Sequence, residues 1–194
     1  MRNIVSGLAA VAAIAVVLPA AGCGASTPPR HPSSSGLTAV SHSYCRSLQL
    51  RVALGPLVSE ATQQNTVILG FRNVSSTTCD LRGYPSIVLS DSSRAALPFA
   101  YHHGGDQMLT RRPPTLVVVR PGAVVYAAFN KNSCVMLASH SAVGGEVTPP
   151  GSSQPLAFDL QHYRILDYCP AGDPGHVVDV SPVEPTRRDV MATS

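Results

Sequence analysis

From Tyr44 to Pro185 the chain alternates apolar and polar side chains in short runs, and Gly, Pro, Ser and Asn separate the runs. Leu48, Leu50, Val52 and Leu54 interleave with Gln49, Arg51 and Ala53, and Val67, Leu69 and Phe71 interleave with Ile68, Gly70 and Arg72. A period of two places successive side chains on opposite faces of a strand, so each run predicts a strand with one apolar face. The same period returns in Ile87 and Leu89, in Leu156, Phe158 and Leu160, and in Val178 and Val180. A helix needs spacings of three and four, which these segments lack. Residues 116–119 and 123–129 flank Arg120-Pro121-Gly122, where proline presets the first turn position and glycine supplies a positive φ at the second. That turn either closes a hairpin or joins two sheets. About seven strands with turns roughly every ten residues predict an all-β, immunoglobulin-like sandwich. A partly open barrel is the alternative.

The pattern is different on either side of this stretch. Behind Met1 and Arg2 lies an uncharged segment from Asn3 to Cys23, with its apolar centre between Leu8 and Leu18. This is the layout of an export signal. A membrane-spanning helix needs about 20 predominantly apolar residues, and here the run breaks at Pro19. Leu18-Pro19-Ala20-Ala21-Gly22-Cys23 resembles a bacterial lipobox, which implies cleavage before Cys23 and a diacylglycerol on its thiol. Two acyl chains hold a protein stably where one holds it marginally. Ordinary signal peptidase cleavage at the same bond is the alternative, since Ala20 and Gly22 satisfy its small-residue rule, and it would release a soluble protein.

After Cys23, the segment up to Ser43 is rich in Ser, Thr, Pro, Gly and Ala and has hardly an apolar side chain to bury. It cannot offset its ordering entropy and is expected to be a disordered tether. Such a tether has a root-mean-square reach of roughly 25 Å and extends to about 65 Å. The expected organisation is therefore a leader over 1–22, a lipidated cysteine and tether over 23–43, a β-sandwich over 44–185 and a flexible tail over 186–194. Its address would be the extracytoplasmic face of a cell membrane.

Charge and cysteine content narrow the function. The formal net charge is +3, and removing Arg2 with the leader lowers it to +2; the basic residues are scattered, which argues against a nucleic-acid partner. Of five cysteines, assigning Cys23 to lipid leaves Cys45, Cys79, Cys134 and Cys169. An even number in an oxidising compartment reads as two disulfides, and no Cys-x-x-Cys pair favours redox or zinc chemistry. Nearest-neighbour pairing, Cys45 with Cys79 and Cys134 with Cys169, is favoured because the first of two antiparallel strands starts where the second ends. With no tryptophan and 5% aromatic residues, a core of Val, Leu, Ile and Ala would lean on these bridges.

Catalytic signatures are missing from the sequence. Neither Gly-x-Ser-x-Gly nor Ser-x-x-Lys occurs, and Glu60, Glu146 and Glu184 show no pairing with the aspartates. No cofactor is implied, and a hydrolase is the weakest alternative. The one local cluster is Tyr101-His102-His103-Gly104-Gly105-Asp106-Gln107-Met108, in which His102, His103 and Met108 are candidate copper or zinc ligands that His140 or His162 could complement. Adjacent histidines on a strand face apart, so both reach one ion only if the segment is a loop, as Gly104 and Gly105 suggest. A solvated loop is the plainer reading. Tyr163 and Tyr168 beside Cys169 are expected to pack around a disulfide rather than form a contact patch.

The segment Asn73-Val74-Ser75-Ser76-Thr77-Thr78-Cys79-Asp80-Leu81-Arg82-Gly83-Tyr84-Pro85 resembles the core motif of an actinobacterial family of secreted and lipid-anchored proteins, the domain of unknown function 4232. Pro121-Gly122, Cys134, Cys169 and Val180-Ser181-Pro182 follow in the family's order, so the resemblance spans nearly the whole sandwich. One departure is Asp91-Ser92-Ser93, where relatives more often place glycine in the turn. The resemblance implies an extracytoplasmic β-sandwich and carries over no catalytic residue. Within the motif, Asn73 is positioned to cap a turn, and Gly83 with Tyr84-Pro85 to redirect the chain. The expected function is a lipid-tethered, non-catalytic binding or structural module whose loops contact an envelope protein, glycan or lipid.

Overall fold

The computed structural model describes residues 42–59, 63–105, 107–138, 140–160 and 166–193. Cys23, the leader, most of the tether, Asp106, His162 and Tyr163 lie outside the described residues. The described chain is all-β apart from two 3-10 turns, Ser47–Gln49 and Pro174–His176. Among the described residues no helix is long and apolar enough to cross a membrane. The strands are β1 (Leu50–Ser59), β2 (Gln64–Asn73), β3 (Cys79–Leu81), β4 (Ser86–Ser90), β5 (Ala100–His103), β6 (Val117–Val119), β7 (Val124–Asn132), β8 (His140–Ser141), β9 (Gly144–Thr148), β10 (Leu156–Asp159), β11 (Asp167–Tyr168) and β12 (Val177–Val180). Several are only two to four residues long, so there are more strands than the seven periodic runs suggested.

One sheet has the order β1-β2-β7-β12-β5, antiparallel except for the β12–β5 pair, and a second has the order β10-β9-β4. Two short ribbons, β3–β6 and β8–β11, complete the layers. The core lies between the sheets, as the alternation requires: Val67, Leu69 and Phe71 of β2 and Val125, Ala127 and Phe129 of β7 face Ile87, Leu89 and Val147. Phe129 meets Phe158 across the layers at 6.2 Å between ring centroids. Truncating either Phe71 or Phe129 to alanine in so dense a core would cost about 3 to 5 kcal/mol.

The turn at Arg120-Pro121-Gly122 links two sheets. Gly122 has φ +77°, the Ala123 amide donates to the Arg120 carbonyl at 3.0 Å, and β6 and β7 belong to different sheets. Leu48 departs from the predicted alternation, because Ser47–Gln49 winds into a 3-10 turn and leaves it 83% exposed.

The long β2–β7 pairing, from Gln64 opposite Asn132 to Arg72 opposite Val124, defines two poles about 30 Å apart. Cys45–Cys79 closes one pole and Cys134–Cys169 the other, both with the expected pairing. The described chain enters at the first, where His42 contacts the Asp80 carboxylate at 3.2 Å and the Asp80 amide donates to the Ser43 carbonyl at 3.0 Å. His42 and Ser43, from the segment expected as tether, thus contact the domain. This entry pole is organised by Asn73, which is wholly buried. Its amide donates to the carbonyls of Thr77 (2.8 Å) and Val119 (2.9 Å), and its side-chain oxygen accepts from the Ser75 amide (2.9 Å). Gly83, at φ +118°, turns the chain beyond the motif, and its carbonyl receives the Val183 amide at 2.9 Å.

The expected flexible tail is corrected. Residues 186–193 pack on the outer face of the five-stranded sheet, where Val190 and Leu109 are fully buried against Ile68 and Ala128. Leu109 and Met191 form an antiparallel bridge, Arg112 pairs with Asp189 at 3.2 Å, and the Arg187 guanidinium stands 5.3 Å over the Tyr126 ring. Ile68 explains the difference: an apolar side chain on the outer face needs a cover, and the tail supplies one. Burying Val190 and Leu109 contributes about 1.5 to 3 kcal/mol each. β2 is consequently buried on both faces, against the expectation of a single apolar face.

Candidate binding surface

The pole opposite the chain's entry carries the loops 90–96, 132–143 and 170–176. After Asn132 the chain turns outward through Cys134 into Val135, Met136 and Leu137, which are 78%, 47% and 95% exposed. Three consecutive large apolar side chains would ordinarily collapse onto the core; here Asp173 holds them out. Its Oδ2 accepts the amides of Val135 (2.9 Å) and Met136 (2.7 Å), while its Oδ1 accepts the amide of Gly175 (2.8 Å). These backbone amides, that of Met136 foremost, hold the Asp173 carboxyl below the usual carboxylate range despite its burial.

Beneath this tip lies Lys131, the only lysine in the chain and 1% exposed. Its Nζ donates to the Asn132 carbonyl at 2.6 Å, lies 3.7 Å from Cys169 Sγ and stands 6.0 Å over the Phe99 ring. Burial lowers its pKa to about 8, against the opposing pull of the Asp167 and Asp173 charges. Tyr168 packs edge-on against Phe99 at 5.0 Å and joins the core, so it serves the packing around the disulfide as expected.

An open groove of about 700 Å³ runs over β4, β9 and β10, bordered by Val88, Asp91, Arg94, Glu146, Ala157 and Asp159. Gly145 is required there, because a Cβ would fall 2.5 Å from the Val88 carbonyl oxygen and 2.8 Å from the Phe158 ring. The Asp91-Ser92-Ser93 turn closes one end. Asp91 Oδ1 accepts from the Ser93 amide (2.8 Å), the Ser93 hydroxyl (2.7 Å) and the Ala95 amide (3.0 Å), and Arg94 takes φ +67°. Arg94 thus occupies the left-handed conformation that a glycine would adopt most easily, and the aspartate's three acceptor bonds hold it there. The Ser93 hydroxyl is the main cause of the lowered Asp91 pKa. Carboxylates and one guanidinium around Val88 and Ala157 offer both acceptors and donors to a polar ligand.

The histidine segment is not a loop. Tyr101, His102 and His103 belong to β5, paired in register with Val178, Asp179 and Val180 of β12. A strand sends the two imidazoles to opposite faces. His103 stacks on Tyr84 at 4.8 Å, whereas His102 lies 3.9 Å from an Asp179 oxygen. Met108 is half-buried where its carbonyl receives the Ala192 amide, and among the described residues no three His, Cys, Asp or Glu side chains converge for a metal. The loop that would have let His102 and His103 share one ion is therefore absent, and the correction is a strand pairing between segments far apart in sequence.

Lys131 and the tip were not singled out from the sequence. The available signals were a lone lysine in an otherwise arginine-based chain and an unbroken Val-Met-Leu run directly after a cysteine. The groove gave no such signal, because its residues come from three separate segments.

These features define a class: an all-β sandwich domain stapled by a disulfide at each pole, with an apolar tip at one of them. More particularly, the chain belongs to the family described as domain of unknown function 4232 (DUF4232), whose family model matches residues 45–184. No curated protein and no solved structure matches the chain.

Proposed function

We propose that this is an actinobacterial, lipid-anchored envelope protein held by Cys23 on the extracytoplasmic face of the membrane, whose sandwich is a non-catalytic binding module. The observation that carries the binding role is the Val135-Met136-Leu137 tip, fixed outward by Asp173. Exposed apolar side chains on an ordered loop mark a contact with another molecule, and their chemistry fits an apolar acceptor in an envelope protein or lipid. The lipobox-like segment before Cys23 and the two formed disulfides support export. The tether would join the domain at the Cys45–Cys79 pole, leaving the tip to face away from its point of attachment.

Two measurements test the reading. Mass spectrometry of the native protein should find diacylglycerol on an amino-terminal Cys23, and Cys23→Ala should release the protein from membranes; an unmodified Cys23 would refute the anchor. A photo-crosslinking residue at position 137 should capture a partner on intact cells, and Val135→Asp should abolish the capture. The control is position 48, also highly exposed but at the other pole. Equal capture from 48 and 137, or none from 137, would refute the role of the tip.

A further inference from the structure

The two disulfides close loops of nearly equal length, with sequence separations of 34 and 35, yet their sulfurs sit in different surroundings. Cys45 and Cys79 are both fully buried, and the nitrogen facing Cys79 Sγ is the neutral amide of Asn73 at 3.8 Å. At the other pole Cys169 is fully buried, but Cys134 is only partly so and leads directly into the exposed tip. Facing Cys169 Sγ at 3.7 Å is an ammonium, that of Lys131. Gly175 covers the Cys169 sulfur so closely that a Cβ there would fall 2.4 Å from Sγ. Cys134 is thus the more accessible of the two residues, and the Cys169 sulfur is covered beside a cation.

We propose that Cys134–Cys169 is a thiol-exchange site, in which an external thiolate attacks Cys134 and Cys169 departs as a thiolate stabilised by Lys131. The co-reactant is a low-molecular-weight thiol or a protein dithiol. Its thiolate forms a new S–S bond to Cys134 Sγ while the Cys134–Cys169 bond breaks, and the electron pair of that bond passes to Cys169 Sγ. A second thiolate of the reductant then attacks the sulfur of the first, the mixed S–S bond breaks, and its electron pair passes to Cys134 Sγ. The chain gains two electrons and ends with two reduced cysteines, and the reductant ends as a disulfide. Exchange is faster when the departing sulfur is the weaker base, and an adjacent ammonium makes it so. Lys131 is mostly charged at neutral pH, its pKa being about 8. The inference is independent of the anchor and of the partner at the tip.

The test treats the folded, oxidised protein with glutathione, alkylates free thiols and maps the peptides. The expected products are a glutathione adduct on Cys134, an alkylated Cys169 and an intact Cys45–Cys79 bond. An adduct on Cys169, or opening of Cys45–Cys79 at the same rate or sooner, would overturn the proposal. Lys131→Met should slow the opening of Cys134–Cys169 about 5- to 10-fold at pH 7 and leave Cys45–Cys79 unaffected. An unchanged rate in the folded variant would remove Lys131 from the reaction. The adduct pattern of the wild-type protein decides the site even where that variant does not fold.

Discussion

At each end of the β2–β7 ladder two cysteines close a loop of some thirty-five residues, but the two ends differ in what surrounds the sulfur. At the entry pole a buried asparagine satisfies carbonyls and an amide around a sealed disulfide. At the far pole a buried lysine and an aspartate support a half-open disulfide and an apolar tip. The polar group nearest the entry-pole disulfide is a neutral, fully bonded amide, as suits a joint that only has to hold. The far pole keeps charge and apolar surface in places that cost stability, which is what the proposed contact and exchange roles would require.

The largest expected effect asks whether the poles are equal as staples. Loop closure predicts that replacing either cysteine pair by alanine costs about 4 kcal/mol in urea unfolding. A difference of more than about 2 kcal/mol between the two pairs would show that local packing, not loop length, sets their worth. Asn73→Ala should follow, at about 1 to 3 kcal/mol, because it strands the buried Val119 carbonyl and uncaps the Ser75 amide at the entry pole. A loss below 1 kcal/mol would mean that water replaces the side chain and that the pole is less sealed than described.

Lys131→Met should work in the opposite direction and raise stability at pH 7 by about 1 to 3 kcal/mol, by removing a cation from a buried site. The sign follows from the lowered pKa. Between about pH 8 and the ordinary value of 10.5 the unfolded chain binds more protons, so wild-type stability rises with pH across that window. The advantage of the methionine variant should therefore shrink over the same range, and a constant advantage would contradict the assignment.

The smallest effect is expected at Glu184, away from both disulfides. The residue is 4% exposed, Oε1 has no hydrogen-bond partner among the described residues, and burial, then Asp189, raises its pKa against the pull of Arg112. Here the folded chain binds more protons, so wild-type stability falls as pH rises through the ordinary carboxyl value of 4.5. Glu184→Gln should remove that slope and add up to about 1 kcal/mol at pH 7, read from urea midpoints at pH 4 and pH 7.

Features determined by local chemistry were legible in the sequence: strand period, the Pro121-Gly122 turn, the Asn73 cap and the pairing of adjacent cysteines. Features determined by distant contacts were not. The polar run Asn130-Lys131-Asn132 reads as an exposed strand end, yet the loops at 170–176 cover it. His102 and His103 form a strand only because β12, more than seventy residues later, lies beside them. Val190 gives no local sign that Ile68 awaits it on the sheet. The candidate site is made almost entirely of such contacts, which is why the sequence indicated the scaffold far better than the surface it carries.

The position of β12 also has a consequence for the order of assembly. It is inserted between β7 and β5, so β5 has no neighbour in that sheet until a segment more than seventy residues later in the chain arrives. That sheet therefore closes only once β12 has joined it, which makes its completion a non-local and hence slow step of folding.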